Sequence, residues 1–216
     1  HFPRQARIAD KLSVIRSLNP GYKDHGPGTW AFLSGQPQPV SASDGPAHYP
    51  EIGSIVAWAR QQKRIGLPHF IAQERIFKGG HAYLGPAYAP FLIDRDPGKE
   101  GFKLDSLTLH PELVNRLEDR RRLLKNLDAL SAGLDISGTM NALDSFNRQA
   151  VELLTSQRAK AAFDLSQESA EVRQKYGQHH WGQSALLARR LAEAGCGLIQ
   201  LFLLSSHTSG RNNGYA

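Results

Sequence analysis

The chain of 216 residues has one cysteine, Cys196. A single thiol excludes an intramolecular disulfide framework and any zinc site built from several cysteines. Long apolar runs are missing as well. The longest, Leu198 to Leu204, is interrupted by Gln200 and falls far short of the roughly 18 residues a membrane-spanning helix needs. No initiator methionine heads the chain, which opens His1-Phe2-Pro3-Arg4 without the charged and apolar regions of a signal peptide. That opening fits a processed leader or an excised piece of a longer protein.

What is present is ordinary for a folded protein. Hydrophobic residues make up 40% and charged residues 21%, so dominant disorder is excluded. The length suffices to bury a core. Lys and Arg number 26 against 20 Asp and Glu, giving a formal charge of +6 and a pI near 9.6. That balance invites a nucleic-acid reading only where the bases cluster. The densest basic stretch, Arg116 to Lys125, is interleaved with Glu118 and Asp119 and holds no aromatic residue for stacking on bases. It reads as a salt-laced solvated helix face, and no nucleic-acid partner is expected.

Periodicity places a helix over 4–18, with Ile8, Leu12, Ile15 and Leu18 on one face, stopped by Asn19-Pro20-Gly21. Residues 36–50, rich in Pro, Ser and Gly, read as an exposed excursion. A second helix is expected from about Glu51 to Lys63, with Ile52, Ile55, Val56 and Ala59 inward. Leu67 to Ala72 suits a strand, and 79–93 an ordered loop packed by Tyr83, Tyr88 and Phe91. Further helices are expected over 111–131, 139–155, 157–163, 167–176 and 180–194, and Leu198 onward as a buried strand. The pattern is helix-rich α/β with at least two strands, the block 111–176 forming one packed helical insertion.

Most polar candidates have plain structural roles. His179 and His180 are adjacent, about 100° apart on a helix, and cannot share one ion as an i, i+4 pair does; capping or surface roles fit them better. Ser184 lacks the following glycine of a nucleophile elbow. Cys196, before an apolar strand, reads as buried and inert, and His69 and His81 as core or loop hydrogen-bonding residues. One segment stands apart, Asp24-His25-Gly26-Pro27-Gly28-Thr29-Trp30-Ala31-Phe32-Leu33-Ser34-Gly35. Two glycines bare the backbone where a short apolar helix begins, and a helix amino end attracts anions such as phosphate or sulfate. A simple turn into a helix uses the same residues.

This segment resembles the nucleophile motif of the alkaline phosphatase/sulfatase superfamily, in which a nucleophile opens a helix that ends in a Leu-Thr-Gly type triplet. Phe32-Leu33-Ser34-Gly35 takes the triplet's place. The closer resemblance is to the sulfatase-like family numbered 1501 among domains of unknown function. It is carried by FPRQARIADKLSVIRSL (2–18), HGPGTWAFLSG (25–35), YPEIGSIVAW (49–58), YLGPAYAPF (83–91), RLEDRRRLLKNLD (116–128), ALDSFNRQAVELLTS (142–156) and RQKYGQHHWGQSALLARRLAEAG (173–195). The resemblance implies a single alkaline-phosphatase-like α/β domain over 1–216, present in part, with its helical insertion at about 111–176.

It also implies a metal-dependent hydrolase of sulfate or phosphate esters in the full-length form, or a non-catalytic binding or scaffold member of the same fold. His25 falls at the nucleophile position, where it could bind metal, act as acid or base, or take a phosphoryl group. Thr29 is the nearest hydroxyl, and Gly26 and Gly28 are the anion-binding backbone donors. The family's usual Trp-Asp-x-His motif is replaced here after Phe202 by Leu203 to Gly210 with only His207. No metal site is therefore assigned to this chain. A divalent ion, zinc or calcium, is expected only for the full-length protein, and this chain alone is expected to be inactive. Family members are commonly exported, which implies a periplasmic or secreted location.

Overall fold

The structure, a computed structural model, describes residues 3–19, 21–36, 47–73, 80–102, 104 and 152–201. The expected helices over 111–131 and most of 139–155, the basic stretch 116–125, most of the 36–50 excursion and everything after Leu201 lie outside the described residues. Among the described residues no helix is long and apolar enough to cross a membrane.

Three strands form one parallel sheet in the order β2-β1-β3: β1 is Phe70–Ala72, β2 Phe91–Leu92 and β3 Leu198–Gln200. Register pairs Ile71 with Phe91 on one side and with Ile199 on the other. The central strand β1 is buried at every position, as a parallel strand covered on both faces should be. Alternating side chains serve the two faces. Phe70 sits so close under α3 (Ile52–Ala59) that a Cβ at Gly53 would overlap its ring. Ile71, fully buried, joins the main core with Leu186, Leu187 and Leu191.

Those leucines belong to α6 (His180–Glu193), whose apolar residues recur at helical spacing and whose end is marked by Gly195 at φ 94°. Two short helices pack on it, α4 (Gln157–Phe163) and α5 (Ala170–Tyr176). Each is started by a serine hydroxyl: Ser156 Oγ accepts from the Ala159 amide and Ser169 Oγ from that of Val172. Removing such a cap costs about 1 kcal/mol. Leu153, Ala159, Ala162, Phe163 and Leu165 place the segment 152–165 within the core. A charged clasp closes this layer. Glu168 Oε1 accepts from Arg190 Nη1 at 2.6 Å and from Arg189 Nη2 at 2.7 Å.

Several expectations need correction. The helix over 4–18 is reduced to α1 (Pro3–Ala6) and a 3-10 turn at Ala9–Lys11. Among the described residues its apolar face meets no packing partner: Ile15 is 74% exposed and Leu18 62%. A short helix without a packing partner does not hold its nucleation cost. In α3 the inward residues are Gly53 and Ser54, while Ile52 and Ile55 are exposed, because close approach to Phe70 selects the small-residue face. Tyr83 is exposed rather than packed. Residues 80–93 do form ordered turns, which end in β2. The helices expected over 157–163, 167–176 and 180–194 are present, the second one starting at Ala170.

Candidate functional site

The helix expected at the glycine motif is there. α2 spans His25–Ser34 and ends at Gly35, which takes the left-handed conformation at φ 67° and returns its amide to the Ala31 carbonyl. Asp24 is the N-cap by backbone geometry, but its side chain makes no cap hydrogen bond. His25 and Gly26 are exposed, Gly28 and Thr29 half-buried, and Trp30 is buried. The helix begins before the glycines rather than after them, which changes the donor inventory at its amino end. Pro27 has no N–H to offer, and the Gly28 amide already donates to the Asp24 carbonyl at 3.1 Å. The backbone amides of His25 and Gly26 are the remaining first-turn donors. A Cβ at Gly26 would meet open space, so nothing in the described chain crowds that position.

A second set of polar groups lies at the carboxyl ends of the strands. Gln73 follows β1 and Asp96 lies in the turn after β2, while His180 opens α6 with Ser184 one turn along. The chain brings these four together. His180 Nδ1 lies 2.8 Å from Asp96 Oδ1, and the same oxygen accepts from the Gly98 amide at 2.7 Å. Gln73 Nε2 donates to Ser184 Oγ at 2.8 Å and reaches His180 Nε2 at 3.3 Å. Ser184 Oγ donates to the His180 carbonyl at 2.6 Å.

A carboxylate only accepts hydrogen bonds, so Nδ1 carries the proton of the neutral ring and Nε2 presents its lone pair. Gln73, 4% exposed, leaves its Oε1 buried without a hydrogen-bond partner among the described residues. The imidazole and the carboxylate reach solvent, at 19% and 22% side-chain exposure. Gly98 is pressed so tightly on the start of α6 that a Cβ there would lie 2.8 Å from the His180 amide nitrogen, which fixes the Asp96 turn against the ring.

His179 caps α6, its Nδ1 accepting from the Gly182 amide, as its position suggested. Its neighbour is the one whose surroundings the sequence concealed, since Asp96 is 84 residues away along the chain. The legible signal was an acid in an Asp-Pro-Gly turn just beyond the apolar run Phe91 to Ile93. Ser184 is buried and its hydroxyl proton is spent on the helix backbone, which makes it a support rather than a nucleophile. No described hydrogen bond or ion pair joins His25 or Thr29 to this cluster. Cys196 is buried, donates weakly to the Pro68 and Leu198 carbonyls, and has its thiol pushed up by desolvation to about 11. His69 Nε2 donates to the Lys63 carbonyl at 2.7 Å, a loop role as expected. Among the described residues no group of three or more His, Cys, Asp or Glu side chains could hold a metal ion.

Helices layered on a parallel sheet, with polar side chains gathered at the carboxyl ends of its strands, define a mixed α/β protein with one chemically equipped edge. The chain matches the family described as Protein of unknown function (DUF1501) over residues 1–210, and it belongs to that family. No curated protein matches the chain, and no solved structure matches it.

Proposed function

We propose that this chain is the α/β portion of an alkaline-phosphatase-like hydrolase of sulfate or phosphate esters, active in its full-length form. The observation that carries the reading is the Asp96–His180 pair at the carboxyl ends of β1 and β2. In open parallel sheets that edge is where ligands bind, and an imidazole oriented by a carboxylate is equipped to move a proton. The superfamily assignment itself is a fold-level analogy. In this reading the exposed amino end of α2 supplies the anion-binding amide of Gly26, with Gly28 shaping the turn. His25 or Thr29 stands nearest the ester. The described side chains do not fit a divalent ion, so no step is routed through one. A zinc or calcium ion bound by residues of the full-length protein, and a periplasmic or secreted location, belong to the same proposal.

The test is turnover of p-nitrophenyl phosphate and p-nitrophenyl sulfate by the full-length gene product, with zinc, calcium or manganese added. Turnover that drops in the His25→Ala/Thr29→Ala double variant supports the reading, and unchanged turnover removes both residues from it. His25 favours a second reading, a non-catalytic binding or scaffold member, because an imidazole cannot form the alkoxide of a serine nucleophile. A full-length protein that turns over neither ester and binds none of the three metals by calorimetry would support that alternative over the first.

A further inference from the structure

The cluster at the sheet edge has an unusual surplus of acceptors. His180 Nε2 presents a lone pair because Nδ1 is committed to Asp96, and among the described residues it is met only by the long 3.3 Å approach of Gln73 Nε2. Gln73 Oε1 is a second acceptor, buried and without a partner among the described residues. Oε1 is buried, so the lone pair at Nε2, on a ring that reaches solvent, is the acceptor that an incoming hydrogen can meet. A ligand suited to it carries an O–H.

The two ester classes differ in this respect. A phosphate monoester has a second ionisation near 6 and keeps an O–H in slightly acid solution, whereas a sulfate ester has no hydrogen to give. We propose that His180, Gln73 and Asp96 form a subsite for protonated phosphate and thereby select phosphate over sulfate; this rests on the ester-hydrolase reading for its choice of ligands. The phosphate O–H replaces the Gln73 N–H at Nε2. Its proton passes to Nε2, its bonding pair stays on the phosphate oxygen, and no bond to phosphorus breaks. The imidazolium so formed keeps its Nδ1–H on Asp96 and faces the anion it has created. The displaced Gln73 N–H turns to a phosphate oxygen, while Ser184 holds the other N–H and so keeps the amide in place.

The test is long-range proton–nitrogen correlation spectroscopy of the histidine-labelled full chain at about pH 8, above the ordinary imidazole range, with His180→Gln identifying the resonances. His180 is expected as the Nδ1–H tautomer. Asp96→Asn, whose amide oxygen can still accept from both Nδ1 and the Gly98 amide, should preserve that state, and Asp96→Ala should lose it. Inorganic phosphate added at about pH 6.5, where the dihydrogen form that can yield its proton to an imidazole is present, should move the Nε2 resonance saturably further toward its protonated position. Sulfate at matched ionic strength should not. An Nε2–H tautomer in the unmodified chain, or an equal response to both anions, overturns the proposal. A phosphate response in a full-length protein without ester turnover supports this subsite and defeats the hydrolase reading. Turnover without a phosphate response at His180 does the reverse.

Discussion

Replacing Glu168 by Gln should destabilise the fold by about 2 kcal/mol, mostly through one of its two ion pairs. Glu168 and Arg190 are largely covered, at 12% and 13% side-chain exposure and 2.6 Å apart, and a charge-assisted hydrogen bond of that kind contributes about 1.5–3 kcal/mol. Arg189 is 35% exposed and also reaches Glu193 at 3.4 Å, so its pair adds only about 0.5 kcal/mol. Glutamine keeps an acceptor oxygen and recovers part of the loss. Arg190 stays anchored by its bonds to the Ala161 and Ala162 carbonyls, so the variant should fold.

For a chain of this size the loss corresponds to roughly 4–8 °C in Tm. The pH dependence sharpens the test. Hydrogen bonds from Arg190, then from Arg189, hold the Glu168 carboxyl below its ordinary value of 4.5. The carboxyl therefore contributes fully above pH 4.5 and loses that contribution as the pH falls through its lowered folded-state value. Denaturant melts of both proteins should show a constant gap from neutral pH down to about 5 that narrows below 4.5. A gap under about 0.5 kcal/mol at neutral pH, or one unchanged in strong acid, would refute the assignment of the clasp.

Three further outcomes follow from the packing. Leu186, fully buried beneath the sheet, should cost about 2–5 kcal/mol as Leu186→Ala, read as a shifted urea midpoint with an unchanged slope. Gly182→Ala drives a Cβ into the backbone carbonyls of Tyr176 and Gly177. Because backbone cannot swing aside, a loss of about 1–3 kcal/mol is expected, and a neutral result would contradict the tight α5–α6 junction. Cys196, with its thiol raised to about 11 by burial, should resist iodoacetamide at about pH 8 in the native chain and react promptly in urea. Rapid native labelling would contradict its burial.

The elements that could be read from the sequence were those whose residues pack as their periodicity implies. The 180–194 helix was legible because Leu186, Leu187 and Leu191 share one face and Gly195 ends it. The 4–18 stripe, equally regular, does not form its full helix because it meets no partner among the described residues; periodicity records a face, not what covers it. The same holds for α3, where the tight seat on Phe70 chose Gly53 and Ser54 over the larger apolar residues. The start of α2 was legible from its glycines, although Pro27 and the Asp24 carbonyl leave fewer free amides than two glycines suggest. The Asp96–His180 pair was hidden for a topological reason: the parallel crossovers bring together residues 84 positions apart, and local spacing carries no trace of that.

In the proposed reading the carboxyl edge of the sheet is the chemical end of this chain. The most direct measurement is the rate of p-nitrophenyl phosphate hydrolysis by the full-length protein against His180→Gln, with Tm recorded to show that both are folded. A proton-handling imidazole contributes about 10²–10⁴ in rate, so the account predicts a drop of at least about a hundredfold with Tm nearly unchanged. Equal rates in the two folded proteins would contradict it.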